Sequence, residues 1–84
     1  MLTLMYFARL REALGVSTEQ LDLPPEVQDV SGLLLLLRSR GGAWEAELAE
    51  KRAFRVAVNQ DMADSATVIR DGDEIAIFPP VTGG

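Results

Sequence analysis

The side chains able to do chemistry in this chain of 84 residues are few, because it has no cysteine, no histidine and a single lysine, Lys51. Without a thiol or an imidazole there is no thiolate nucleophile, no proton shuttle near neutral pH and no zinc-type ligand set. What remains is hydroxyls, carboxylates and the two chain ends. Ser31 and Thr82 lack a base partner, which argues against nucleophilic catalysis by either. Asp71, Asp73 and Glu74 crowd around Gly72, but the loop lacks calcium-binding spacing beyond that cluster, and turn chemistry accounts for Asp71-Gly72. No metal site is expected. The distinctive stretch is the end, Phe78-Pro79-Pro80-Val81-Thr82-Gly83-Gly84. Two prolines cannot continue a central strand and favour a stiff, extended segment leading away from the body. Six residues in that form reach roughly 20 Å. Gly83 and Gly84 carry no Cβ, so the terminal carbonyl is sterically open and thin enough to thread into another protein's active site. Bare terminal glycines are common because chain ends are loose, so the weight falls on the whole motif, set directly after a strand.

The elements that must position this tail belong to one domain. Hydrophobic residues make up 48% of the chain and charged residues 25%, which suits a globular domain rather than a disordered one. The net charge is -5, from eight basic and thirteen acidic residues. The pairs Arg9 and Arg11, and Arg38 and Arg40, are spaced rather than clustered, so the cationic footprint of a nucleic-acid binder is missing. The longest unbroken apolar run, Leu33 to Leu37, falls far short of the roughly 20 residues that cross a bilayer. Met1-Leu2-Thr3-Leu4 shows neither a basic leader nor a cleavage site, and the missing cysteines suit a reducing compartment; a cytoplasmic location is expected.

Leu2 to Phe7 is a compact apolar run that reads as a buried strand. Ala8 to Leu14 has helix formers, with Gly15 placed to cap its end. Ser17 to Leu23 alternates and predicts a second strand, closed by Pro24-Pro25. Asp29 is positioned to cap a helix over Val30 to Arg40, whose five consecutive leucines must bury most of the circumference and whose terminal arginines complement the helix dipole; Gly41-Gly42 stops it. Ala43 to Glu50 suggests a shorter helix, Phe54 to Asn59 a half-buried strand, Thr67 to Ile69 a short strand, Asp71-Gly72-Asp73 a hairpin-type turn and Glu74 to Phe78 the last strand. Two strands, a helix crossing the sheet and two or three further strands give an α+β fold of two layers. With a right-handed crossover the first and last strands lie side by side and parallel. That is the ubiquitin-like β-grasp: a mixed sheet with one main crossing helix, formed by residues 1–78, with 79–84 as an extended tail.

On this order the tail decides the resemblance. Asp71-Gly72-Asp73-Glu74-Ile75-Ala76-Ile77-Phe78-Pro79-Pro80-Val81-Thr82-Gly83-Gly84, supported by Met5-Tyr6-Phe7-Ala8, Arg11-Glu12 and Val58-Asn59-Gln60, closely resembles the small sulfur-carrier subunits of molybdopterin synthase. The departure is the leucine-rich helix with Gly32, where such subunits carry a more mixed amphipathic one; it touches packing, not chemistry. The resemblance implies that an adenylyltransferase similar to ubiquitin-activating enzymes uses ATP and Mg²⁺ to adenylate the Gly84 carboxylate. A sulfur donor protein then supplies persulfide sulfur, which displaces AMP and leaves a thiocarboxylate. Pro79, Pro80, Val81, Thr82 and Gly83 carry this group into the large synthase subunit, where sulfur passes to cyclic pyranopterin monophosphate; two transfers build the molybdopterin dithiolene. The implied assembly is a heterotetramer of two large and two small subunits. The catalytic side chains belong to the large subunit, and no cofactor is bound by the carrier. None of these steps requires Cys or His on the carrier.

Strand parity puts Leu2, Leu4, Tyr6, Ile75 and Ile77 on one face, and Met5, Phe7, Ala57, Ala76 and Phe78 on the other. A sheet covered by one helix layer normally shows polar residues on its open face. An apolar face rimmed by Arg9, Arg11 and Glu74 therefore suggests a protein-binding patch, with Met5, Phe7, Arg11, Ala76 and Phe78 as its contacts. The alternative is a secondary core, with Phe7 and Phe78 folded under Ala43 to Glu50. Rival functions are sulfur carriage for thiamine thiazole or tRNA thiolation, protein tagging, and a non-catalytic β-grasp binding module whose glycine tail is inert.

Overall fold

The computed structural model describes residues 1–80. Strand β1, Leu2–Tyr6, buries Leu2, Leu4 and Tyr6 and leaves Thr3 and Met5 half-buried. Helix α1, Ala8–Leu14, follows at once and ends on Gly15, whose left-handed backbone (φ 74°) lets its N–H reach the Arg11 carbonyl. Strand β2, Thr18–Leu21, returns antiparallel to β1. Helix α2, Val30–Arg38, starts at Asp29, whose carboxylate accepts from the Gly32 N–H at 2.9 Å and the Ser31 hydroxyl at 2.8 Å. These bonds favour the charged form and hold the Asp29 carboxyl below its usual range. Helix α3, Gly42–Glu47, then leads into strands β3 (Arg55–Val58), β4 (Asp61–Ala63) and β5 (Glu74–Phe78).

The sheet order is β2-β1-β5-β3-β4, with β1 and β5 parallel and every other pair antiparallel. This is the expected β-grasp, its last strand seated at the centre. Val30, Leu33 and Leu37 of α2, Leu10 of α1 and Leu48 cover Leu2, Leu4, Tyr6, Ile75 and Ile77 in one core. Leu35, on the far side of α2, is exposed, so the leucine run is buried along a stripe rather than all round. Strands β1, β2 and β3 and helix α2 are shorter than their patterns suggested, while β5 has the expected bounds. The basic end of α2 also differs. Arg38 donates to the Leu48 carbonyl, while Arg40 leaves the helix and reaches β2.

The second half of the chain departs from expectation. Thr67–Ile69 is not a strand: Val68 forms only an isolated bridge to Asp29 and is exposed. Its backbone bonds are the two of that bridge, Ile69 N–H to the Gln28 carbonyl and Val30 N–H to the Thr67 carbonyl, and a turn bond from the Thr67 N–H to the Asp64 carbonyl. In the turn just before it the Asp64 carboxylate accepts from the Ala66 N–H and Thr67 Oγ1 accepts from the Asp64 N–H. The Asp71-Gly72-Asp73 turn leads from this loop into β5 rather than joining two strands. The hairpin lies earlier, between β3 and β4, where Asn59 (φ 51°) and Gln60 (φ 72°) are both left-handed. That is the two-residue turn whose twist matches its strands, and it normally carries glycine second. Asn59 is fastened there: its Oδ1 accepts from the Glu74 N–H, its Nδ2 donates to Asp73, and its own N–H bonds to the Glu74 carbonyl. Gln60 has no such compensation. Gln60→Gly is expected to stabilise the fold by about 0.5–1 kcal/mol, the left-handed penalty less the entropy of glycine. Thermal unfolding checks this as a rise in Tm of roughly 2–8 °C.

Candidate functional site

Because β5 lies between β1 and β3, the chain leaves the sheet from its middle. Phe78 is in register with Arg55 of β3, and Pro79 and Pro80 are half-buried. Val81, Thr82, Gly83 and Gly84, the rest of the expected tail, lie outside the described residues.

The outer face around this exit is built by register. Thr18, Met5, Ala76, Ala57 and Met62 form one row across all five strands. Four of the five are apolar. Met62 is 61% exposed, Met5 and Ala76 are half-buried, and Ala57, shielded by its neighbours, is only 7% exposed. At the tail end Phe7 follows β1 with its N–H bonded to the Ile77 carbonyl, which brings it beside Phe78. Phe7 is 44% exposed and Phe78 half-buried. At the opposite end the face turns polar with Thr3, Gln20 and Glu74. Met5, Phe7, Ala76 and Phe78 are therefore brought together, and Arg11 is exposed on α1 nearby. Met62 belongs with them and was missed because its strand was missed.

The fold separates two readings of Phe7 and Phe78. Helix α3 does not cover them. Its Trp44 packs on Tyr6 at a ring separation of 5.3 Å and 77° between planes, and Leu48 beyond it enters the core, so α3 belongs to the helix layer. Arg9 does not rim the outer face as expected. Its guanidinium pairs with Glu47 of α3, which also holds Arg52; the hydrogen bond from Arg52 above all, with the charge of Arg9 beside it, keeps the Glu47 carboxyl below its usual range.

Beneath the site a polar-aromatic strap fixes the end of β1. The Tyr6 hydroxyl donates to Glu19 of β2 at 3.1 Å, Arg40 pairs with Glu19 at 2.9 Å, and the Arg40 guanidinium lies 4.4 Å from the Trp44 ring centre. Burial, and then the charge of Glu19, push the Tyr6 hydroxyl well above the ordinary phenol range. The folded state thus holds this proton more tightly than the unfolded chain. The contribution is complete below about pH 10 and fades as pH rises above it.

The described residues include no group of three or more His, Cys, Asp or Glu side chains placed to hold a metal. No helix among them is long and apolar enough to cross a membrane. The site thus offers contact surface and an exit for the chain end. A family model described as the ThiS family matches residues 4–84, nearly the whole chain and the tail with it. The chain belongs to the ThiS family. This ThiS-family chain is 38% identical to the molybdopterin synthase sulfur carrier subunit of Haemophilus influenzae over all 84 residues, covering both proteins fully. Among solved structures it is similar to molybdopterin converting factor subunit 1 of Pyrococcus furiosus (TM-score 0.79, 30% identity, 95% of this chain and 97% of that one). It is likewise similar to SAMP1 of Haloferax volcanii (TM-score 0.80, 28% identity, 99% and 98%).

Proposed function

We propose that this chain is the sulfur carrier of molybdopterin synthase and works through the carboxylate of Gly84. The observation that carries the reading is full-length likeness to a sulfur carrier subunit, through a family match that runs to residue 84. A carboxylate is a poor electrophile because its leaving group is oxide. Adenylation by an activating enzyme, with ATP and Mg²⁺, replaces that leaving group with AMP. Attack by a persulfide sulfur on the acyl carbon then forms a C–S bond and breaks the bond to AMP. A second thiol then attacks the donor's sulfur in this acyl disulfide, breaking the S–S bond; the thiol and the donor end as a disulfide, and the thiocarboxylate is left at Gly84. The softer sulfur is delivered to cyclic pyranopterin monophosphate, and two deliveries complete the dithiolene.

In this reading residues 1–78 are the docking body and 79–84 the inserted tail. Met5, Phe7, Ala76 and Phe78, with Arg11 at the margin, meet the large synthase subunit. Two carriers and two large subunits make the heterotetramer, which works in the cytoplasm. A further reading, protein tagging, draws support from the likeness to SAMP1; there the activated Gly84 acylates an amine. Incubation with the activating enzyme, ATP and a sulfur donor, followed by intact-mass measurement, tests the proposal. The expected product has one oxygen replaced by sulfur, localised to Gly84 by fragmentation. An unchanged mass overturns the carrier reading, and an amide adduct in place of the thiocarboxylate favours tagging.

A further inference from the structure

Three residues other than glycine have left-handed backbone among those described: Ala8, Asn59 and Gln60. Asn59 and Gln60 form the β3–β4 hairpin. Ala8, at φ 54°, belongs to no hairpin, and an L side chain occupies this region only at a cost. Such an outlier persists where its surroundings over-determine it.

Its surroundings show what it does. Phe7 belongs to two elements at once. Its backbone is extended (φ -126°, ψ 154°) and its N–H donates across the sheet to Ile77, while its carbonyl accepts from the Leu10 and Arg11 N–H groups and so opens α1. Strand and helix therefore meet with no linker. Tyr6 and Leu10 both enter the core, at 1% and 0% exposure, while Phe7 between them stays on the surface. One left-handed residue after Phe7 is what reverses the chain in so short a space. With Ala8 in the ordinary helical or extended region, the chain would run on, and either Leu10 would leave the core or Phe7 would leave the outer face.

We infer that Ala8 is a positioning residue: its left-handed backbone holds Phe7 in place beside Phe78, at the root of the tail, for docking. The inference rests on the reading that the outer face meets the large synthase subunit. It assigns a role to the fourth residue of Met5-Tyr6-Phe7-Ala8, whose own methyl is exposed.

The test uses two variants that leave the fold no less stable. Ala8→Gly relieves the strain but widens the basin available to the junction, so Phe7 loses more freedom on docking. Its Tm should equal or exceed that of the parent, while calorimetric affinity for the large synthase subunit falls about threefold. A synthetic chain with D-alanine at position 8 favours positive φ without the added freedom. Its Tm should rise and its affinity should be at least that of the parent. A residue with a merely structural role would not let affinity fall while Tm holds. Parental affinity in Ala8→Gly overturns the inference, as does a lower Tm or weaker binding with D-alanine. Phe78→Asp, run alongside, keeps the two readings apart. If it binds like the parent, the docking face itself is wrong; if it fails to bind while Ala8→Gly matches the parent, only the role of Ala8 is lost.

Discussion

Deletion of Gly84 is expected to abolish molybdopterin formation in a system reconstituted from carrier, activating enzyme, sulfur donor and large subunit, while leaving the Tm unchanged. Both halves follow from where the chemistry sits. In the proposed mechanism the reactive group is the chain terminus, and the chain has no cysteine or histidine that could replace it. Deletion moves the carboxylate to Gly83 and withdraws it by one residue, about 3.5 Å of reach. Reacting atoms must approach to about 3–3.5 Å in line, so a shortfall of that size is not a small loss of efficiency. Adding a residue after Gly84 should be as damaging, since it moves the carboxylate the other way and puts a side chain beside the reacting carbonyl. The fold is expected to tolerate both changes: strand β5 ends at Phe78, and among the described residues the buried core is drawn from residues 2 to 77. Transfer that survives the deletion would sink the terminal-carboxylate mechanism. A fall in Tm would mean that the last residue also supports the body.

Much of the body was legible because its signals are local. Gly15 after Ala8–Leu14, Asp29 before Val30 and the alternation of Ile75 and Ile77 each mark an element within a few residues. Strand β4 had no such signal. Asp61-Met62-Ala63 is three residues long with one large apolar side chain, which points to solvent, and the turn before it carries Gln60 where glycine would have announced a hairpin. Thr67–Ile69 misled for the opposite reason. Its β-branched residues fit a strand, but the Asp64 and Thr67 side chains and the Gln28 carbonyl satisfy the nearby backbone. The site divides the same way. The parity of Met5, Phe7, Ala76 and Phe78 follows from period two. The strap of Tyr6, Glu19, Arg40 and Trp44 joins side chains from separate parts of the chain, which no local pattern displays.

The docking face is tested most sharply by two adjacent residues of β5. Ile77 and Phe78 differ in parity: Ile77 is fully buried under the helix layer, and Phe78 is half-buried on the opposite face. Ile77→Asp puts an unpaired carboxylate into the core, a cost of several kcal/mol on top of the lost apolar burial. Domain stability at this chain length is only about 4–13 kcal/mol, so the variant should be largely unfolded by circular dichroism. Phe78→Asp leaves its carboxylate at the surface and gives up only part of one aromatic burial, about 1–2 kcal/mol. It should fold cooperatively with a lowered Tm. Its affinity for the large synthase subunit is a separate matter. An aromatic anchor beside the tail exit has the burial and position of an interface hot spot, where truncation costs 2 kcal/mol or more, and a charge trapped on docking adds to that. A loss on the order of 100-fold or more in Kd is expected, with adenylation of Gly84 by the activating enzyme measured in parallel to show whether that enzyme uses the same face. Parental affinity in a folded Phe78→Asp would remove the outer face from the interface. An unfolded Phe78→Asp would place the residue in the core, and Ala76→Glu, which extends from the middle of the same face without removing any packed group, would then carry the test of the face.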